Sequence, residues 1–251
     1  MDFLAKTNEH PRDKDIVFDE GPHRYYVRGK QMDKSVTTLV HRLFQPFDAD
    51  AIIAKMISGR NWQSSKYYGM SPAEIKKQWA DSGLDARTKG TALHNCIEAF
   101  YNDAPMENMS LVANTLEYKM FTVFHQDTQD HLIPFRTEWQ VYDEDFALAG
   151  SIDMVFKNAS DGTYSIYDWK RSKEIKMTND WGQRGKPPVE HLHDCNFVHY
   201  SLQLNVYKFI LEKHYGLKIR DMFLVILHPD LSKYQKIQAK DLQQEVASIL
   251  K

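Results

Sequence analysis

The chain has 251 residues, 42% of them hydrophobic and 12% aromatic, enough for one full core or a core with an attached subdomain. Its formal net charge of −2 excludes a histone-like or tail-driven nucleic-acid binder, while leaving room for a locally basic groove. Two cysteines, Cys96 and Cys195, cannot build a disulfide framework, a four-cysteine zinc site or an iron–sulfur cluster. No apolar run approaches a membrane span, and Met1-Asp2-Phe3-Leu4-Ala5-Lys6 lacks the apolar stretch of a signal peptide. The expected compartment is therefore reducing and cytoplasmic, that of a host cell if the chain is viral.

Residues 16–32 alternate around Glu20-Gly21-Pro22 and read as a hairpin. Ser35 is placed to cap a short helix running to Phe44. Two more helices are expected at Ala49–Ile57, behind Asp48, and at Pro72–Asp81. The second has Ser71 as cap, Pro72 in the first turn and Glu74 to complete a capping box. These segments make residues 1–84 a hairpin-plus-helix subdomain rich in aromatics (Trp62, Tyr67, Tyr68, Trp79), and residues 85–251 the main core.

In that core, helices are expected at Ala86–Tyr101 and from about Met109 to Gln126. Three strands follow near Phe135–Tyr142, Phe146–Lys157 and Thr163–Lys170. A polar loop from Arg171 to about Cys195 leads into an amphipathic helix, Phe197–Tyr215, stopped by Gly216. Met222–Leu227 reads as a buried strand, with a short strand near Tyr234–Ile237 and a helix near Leu242–Leu250 closing the chain. The order is that of an α/β (α+β) fold, a mixed central sheet flanked by helices.

The chemistry gathers on the middle strands. Lys157–Thr163, with Asp161-Gly162, reads as a hairpin turn between two antiparallel strands. That hairpin would set Asp153 beside Asp168, fifteen positions later (168 − 153), with Lys170 on the same face as Asp168. On the preceding helix His94 and Glu98 share a face, as do Gln203 and Tyr207 on the helix after the strands. Each feature has an ordinary reading: a solvated His–Glu pair, a surface acid, an edge ion pair, plain amphipathicity. Their order and convergence favour a divalent-metal centre. A zinc-protease site is excluded, because Asn95 follows His94 and no second histidine lies four residues on.

The series Gly90-x-x-x-His94-x-x-x-Glu98, Gly150-x-x-Asp153, Asp168-x-Lys170 and Gln203-x-x-x-Tyr207 resembles the PD-(D/E)xK nuclease superfamily over about residues 84–230. It is most similar to the RecB-type exonuclease branch, including the mitochondrial genome-maintenance and CRISPR-adaptation nucleases. Ser35-Val36-Thr37 resembles an N-terminal element of the mitochondrial type. Departures are Ile152 before Asp153, an aspartate rather than glutamate at 168, and the absence of cluster cysteines. No G-x-x-x-x-G-K-S/T loop of a helicase motor is present.

The resemblance implies a restriction-endonuclease-like core and a Mg²⁺- or Mn²⁺-dependent deoxyribonuclease, an exonuclease of replication, recombination or repair, with no iron–sulfur cluster. His94, Asp153, Asp168 and the Trp169 carbonyl would hold one or two ions that polarise the scissile phosphate and acidify water. Lys170 would orient or deprotonate that water, with Gln203 and Tyr207 bordering it. Glu98 and Glu138 would orient ligands or join a second ion. DNA would be gripped by the loop after Lys170, where Lys170, Arg171, Lys173, Lys176, Arg184 and Lys186 face only Glu174 and Asp180. That loop reads equally as a solvated segment. Ser35, Thr37, Lys89 and Thr91 are further phosphate-contact candidates at helix starts. The subdomain aromatics are either core or a stack for bases. An endonuclease or resolvase on the same core, or a silent DNA-binding relative, remains open.

Overall fold

The computed structural model describes residues 3–105 and 109–251. A short helix α1 (Phe3–Thr7) precedes a small antiparallel sheet, β1 (Ile16–Asp19), β2 (Arg24–Val27) and β3 (Lys30–Gln31). Then come β4 (Lys34–Ser35), α2 (Val36–Arg42), α3 (Ala49–Ile57), α4 (Pro72–Tyr101), α5 (Ser110–Ala113) and α6 (Leu116–Thr128). The second half holds β5 (Leu132–Asp143), β6 (Leu148–Asn158), β7 (Tyr164–Lys170), α7 (Asn196–His214), β8 (Ile219–Ile226), β9 (Gln235–Gln238) and α8 (Gln243–Ile249).

The main sheet is mixed and six-stranded, ordered β4-β6-β7-β8-β9, with β5 on the other edge of β6. One face is covered by α7, α2 and α8 through Leu204, Ile210, Val36 and Val246. The other is covered by α4 and α6 through Leu93, Ile97, Phe121 and Phe124, packed on Phe156 and Trp169. Phe121, Phe124 and Trp169 are almost wholly buried, and each such ring contributes about 2 kcal/mol of transfer free energy. The structure is therefore the mixed α/β sandwich expected, a sheet between helical layers.

Several local signals act as their chemistry requires. Ser35 accepts from the Thr38 N–H, and Ser71 and Glu74 form the capping box of α4. Gly162 turns the β6–β7 hairpin at φ +70°, and Gly216 leaves α7 at φ +67°. Other expectations are corrected. The two helices 72–81 and 86–101 are one thirty-residue helix, because Gly83 keeps a helical backbone instead of ending it. A glycine inside a helix costs only about 1 kcal/mol, which flanking helix formers offset. The 84/85 division thus falls inside α4, and β4 of the N-terminal part pairs with β6 in the main sheet. The helix expected over 109–126 is two, divided before Thr115, whose side chain caps α6.

One junction positions the site. Along a single edge, β6 pairs with β4 at residues 148–149 and with β7 at residues 154–157. Residues 150–153 lie between these partners, where the sheet forks. Asp153 sits on the β7 side of the fork and Gly150 on the β4 side.

Candidate active site

At the fork, Asp153 Oδ2 accepts a 2.9 Å hydrogen bond from the Trp169 backbone N–H. Extending the antiparallel pairing Met154–Tyr167 by one residue sets Asp153 opposite Asp168, the neighbourhood that the hairpin predicts. From α4, His94 Nε2 lies 2.9 Å from the Trp169 carbonyl. Its Nδ1 lies 3.6 Å from both Glu138 Oε1 and Asp153 Oδ2. His94, Glu138 and Asp153 can each bring a ligand atom within 4.8 Å of the others. Glu138, considered from sequence a supporting residue beside Glu98, thus stands in the cluster itself, and Glu98 lies outside it. Glu138 has φ +41°, a left-handed conformation unfavourable for a side chain of its size. Ser151 Oγ donates to its Oε2 at 3.0 Å, steadying the carboxylate. The only sequence signal for this role was an acid at the middle of the strand beside β6.

Asp168 and Lys170 do share a face: Lys170 Nζ lies 2.6 Å from Asp168 Oδ2. Lys170 also lies 4.6 Å from the centre of the Tyr200 ring, a cation–π support that was not anticipated. Tyr200 precedes Gln203 by three positions on α7, a same-face spacing that was available to find it.

Burial raises the carboxyl groups of Asp153 and Asp168, against the pull of His94 on the first and Lys170 on the second. Burial would lower His94, but Asp153 and Glu138 outweigh it and hold the imidazole up at about 9. Lys170 is likewise depressed by burial but raised overall by Asp168 and Asp153, and so stays protonated. His94 thus faces the Trp169 carbonyl with Nε2 and the Glu138 and Asp153 carboxylates with Nδ1. Those oxygens, with the Asp168 carboxylate beside them, form a hard-donor set suited to a divalent cation, with neutral imidazole as a further ligand.

Gln203 and Tyr207 divide their work. Gln203 Nε2 donates to the Tyr207 hydroxyl at 3.4 Å, and Gln203 borders a cavity beside Lys170. Tyr207 is buried, its hydroxyl pressed on Gly150, where a Cβ would lie 2.7 Å from it. It packs the fork against Gly150. Burial pushes its phenol well above the usual range.

The basic loop is less free than its composition suggests. Arg171 is held in a largely buried pair with Glu117 at 2.8 Å, so a phosphate contact there would compete with that pair. Lys173 pairs with Asp230, Lys176 with Asp180, and Lys89 with Asp85, all well exposed. Arg184 donates to the His191 carbonyl and Lys186 to the Arg42 carbonyl. Exposed pairs of this kind contribute little and can exchange for phosphate. The helix-start argument fails for Lys89 and Thr91, which lie deep inside α4 with no free N–H groups. Ser35 caps α2, and Thr37 is exposed beside the cavity. Of the aromatics, Trp79 donates to the Tyr67 hydroxyl at 2.8 Å and Trp62 packs edge-on to Tyr68. Cys96 and Cys195 are both buried, free and in different parts of the core.

The forked mixed sheet thus carries acids and a lysine at its opening. The chain belongs to the PD-(D/E)XK nuclease superfamily, whose model matches residues 30–250. Nucleases of this superfamily use divalent metal ions and act on DNA. No curated protein matches the chain. A solved structure titled "Crystal structure of SSO0001" is similar at 12% identity, over 98% of this chain and 77% of that one, with a TM-score of 0.28. No described helix is long and apolar enough to cross a membrane.

Proposed function

We propose that the chain is a Mg²⁺- or Mn²⁺-dependent DNA exonuclease of the RecB-like kind, acting at DNA ends in replication, recombination or repair. The observation that supports it most is the convergence of His94, Glu138, Asp153 and the Trp169 carbonyl beside the Asp168–Lys170 pair. Glu138, Asp153 and Asp168 would hold the ion, with the Trp169 carbonyl and His94. When bound, a divalent ion supplies Lewis-acid polarisation of phosphate and a more acidic water.

The chain's own groups supply the rest. Lys170, held protonated, acts as a donor: it orients the attacking water and offsets charge growing on the phosphoryl oxygens. Asp168 and the Tyr200 ring fix its direction. The Asp153 contact to the Trp169 N–H holds β7 against the fork, so that Trp169 presents its carbonyl. The order of the motifs along the chain supports the exonuclease branch. The test is a time course on end-labelled single- and double-stranded oligonucleotides and on closed circular DNA, with Mn²⁺, Mg²⁺ or excess EDTA. Cleavage of linear but not circular DNA, lost in EDTA, is expected. Cutting of the circle would point to an endonuclease or resolvase, and activity unchanged in EDTA would overturn the metal mechanism.

A further inference from the structure

Between α2 and α7 lies a cavity of ≈ 300 Å³, and Lys170 is itself part of its lining, so the cavity adjoins the Asp168–Lys170 pair. Thr37 and His41 line it from α2, and His199, Tyr200 and Gln203 from α7. No carboxylate is among its lining residues, although acids crowd the neighbouring fork. The volume is at the lower end for small-ligand sites, about 300 Å³.

The walls are built, not incidental. His199 Nε2 is tied to Asp194 Oδ1 at 2.9 Å, and its ring lies 4.0 Å from that of Phe44. One ring nitrogen is thereby spent, leaving the other for a ligand. Burial and His41 hold this imidazole below its ordinary value against the pull of Asp194, and an anion at the free nitrogen would shift it toward the doubly protonated form. The His41 ring lies 6.4 Å from that of His199, within reach of a second oxygen of one bound group. Asn196 spends its side chain on the loop, accepting from Lys176 N–H and donating to the Glu174 carbonyl, so it shapes the wall and offers no free group. The nineteen-residue α7 begins here at Asn196, after an N-cap residue, Cys195, that makes no side-chain cap, which adds the positive end of its dipole.

We propose that this cavity is a phosphate subsite, holding the strand phosphate next to the one being cut, with His41, His199 and Gln203 as its grip. The identity of the strand rests on the nuclease reading; the preference for an anion does not. The phosphate has two sources, a terminal phosphomonoester or an internal diester.

The test is calorimetric binding to the whole protein in EDTA, so that cleavage plays no part. Thymidine 3′,5′-bisphosphate should bind, thymidine should not, and His41→Ala or His199→Gln should each weaken binding about fivefold or more. His41 is exposed, so its variant keeps the test valid if His199→Gln fails to fold. Equal affinity of wild type and His41→Ala for the bisphosphate, or equal binding of thymidine, would overturn the assignment. Two dinucleotides, one with a terminal phosphate and one with only its internal diester, then separate the sources. A protein that binds the bisphosphate as described but cuts no DNA with any divalent ion would remove the nuclease reading and leave the subsite standing.

Discussion

Glu138 is held in a left-handed conformation at φ +41°, facing Asp153 across the β5–β6 pair. A side chain there costs about 1–2 kcal/mol relative to ordinary backbone, and glycine escapes that cost. Glycine returns about 0.5–1 kcal/mol of it through the greater freedom of the unfolded chain. Glu138→Gly should therefore be about 1 kcal/mol more stable than Glu138→Ala, since both remove the carboxylate and only one removes the strain. For a chain of this size that difference shifts the melting temperature by about 2–4 °C. Urea unfolding in EDTA measures it free of metal linkage. Both variants should also bind Mn²⁺ more weakly than wild type, which titration monitors separately. A glycine variant no more stable than the alanine variant would refute the strain argument. Unchanged Mn²⁺ affinity in both would remove Glu138 from the metal centre.

Asp168→Asn and Lys170→Ala should each abolish turnover while circular dichroism shows the fold retained; near wild-type rates in either would overturn its role. His94→Ala should depress activity most at low Mn²⁺ and recover as Mn²⁺ rises, because the carboxylates remain to hold an ion; an unchanged activation curve would exclude His94 as a ligand. Arg171→Ala should cost about 3 kcal/mol in denaturant unfolding, by leaving Glu117 buried and unpaired, and should not change the salt dependence of DNA binding. The carboxyl of Asp143 is disfavoured by burial but held below its ordinary 3.8 by hydrogen bonds from His214 and Lys213. Its stabilisation is present above about pH 4 and lost as pH falls through the lower folded value, so Asp143→Asn should flatten stability across that acid range in urea titrations.

The middle of the chain was the most legible. A turn with Asp161-Gly162 between two apolar runs is enough to pair β6 with β7, and pairing alone brings Asp153 to Asp168. Strand alternation then places Lys170 on the face of Asp168. What escaped was anything depending on a distant partner. Glu138 was legible as a candidate on the neighbouring strand, but its left-handed backbone at φ +41° was not, since tertiary context imposes it. Arg171 looked free for a phosphate because Glu117, fifty-four positions earlier, is invisible from the loop. The length of α4 was missed because two helical patterns, 72–81 and 86–101, were read as separate elements. Ser82-Gly83-Leu84 is helical between segments that already have a cap and a packed end.

The Gly150–Tyr207 contact ties these parts together. A Cβ at residue 150 would meet the Tyr207 hydroxyl at 2.7 Å, its ring at 2.8 Å and Val36 Cγ2 at 3.1 Å, so three elements close on one bare backbone position. Tyr207 comes from α7, which also carries Tyr200 and Gln203 at one end of the Lys170 cavity. Val36 begins α2, whose next residues line the opposite wall. Gly150 itself precedes Asp153 by three positions on β6. The glycine of the G-x-x-D motif is thus a packing joint, setting the height of both cavity helices over the strand that carries the acid. The sequence motif pairs glycine with aspartate because the close approach that shapes the site and the carboxylate that serves it lie on the same short run of β6, paired with β5 on one edge and left open at the fork on the other.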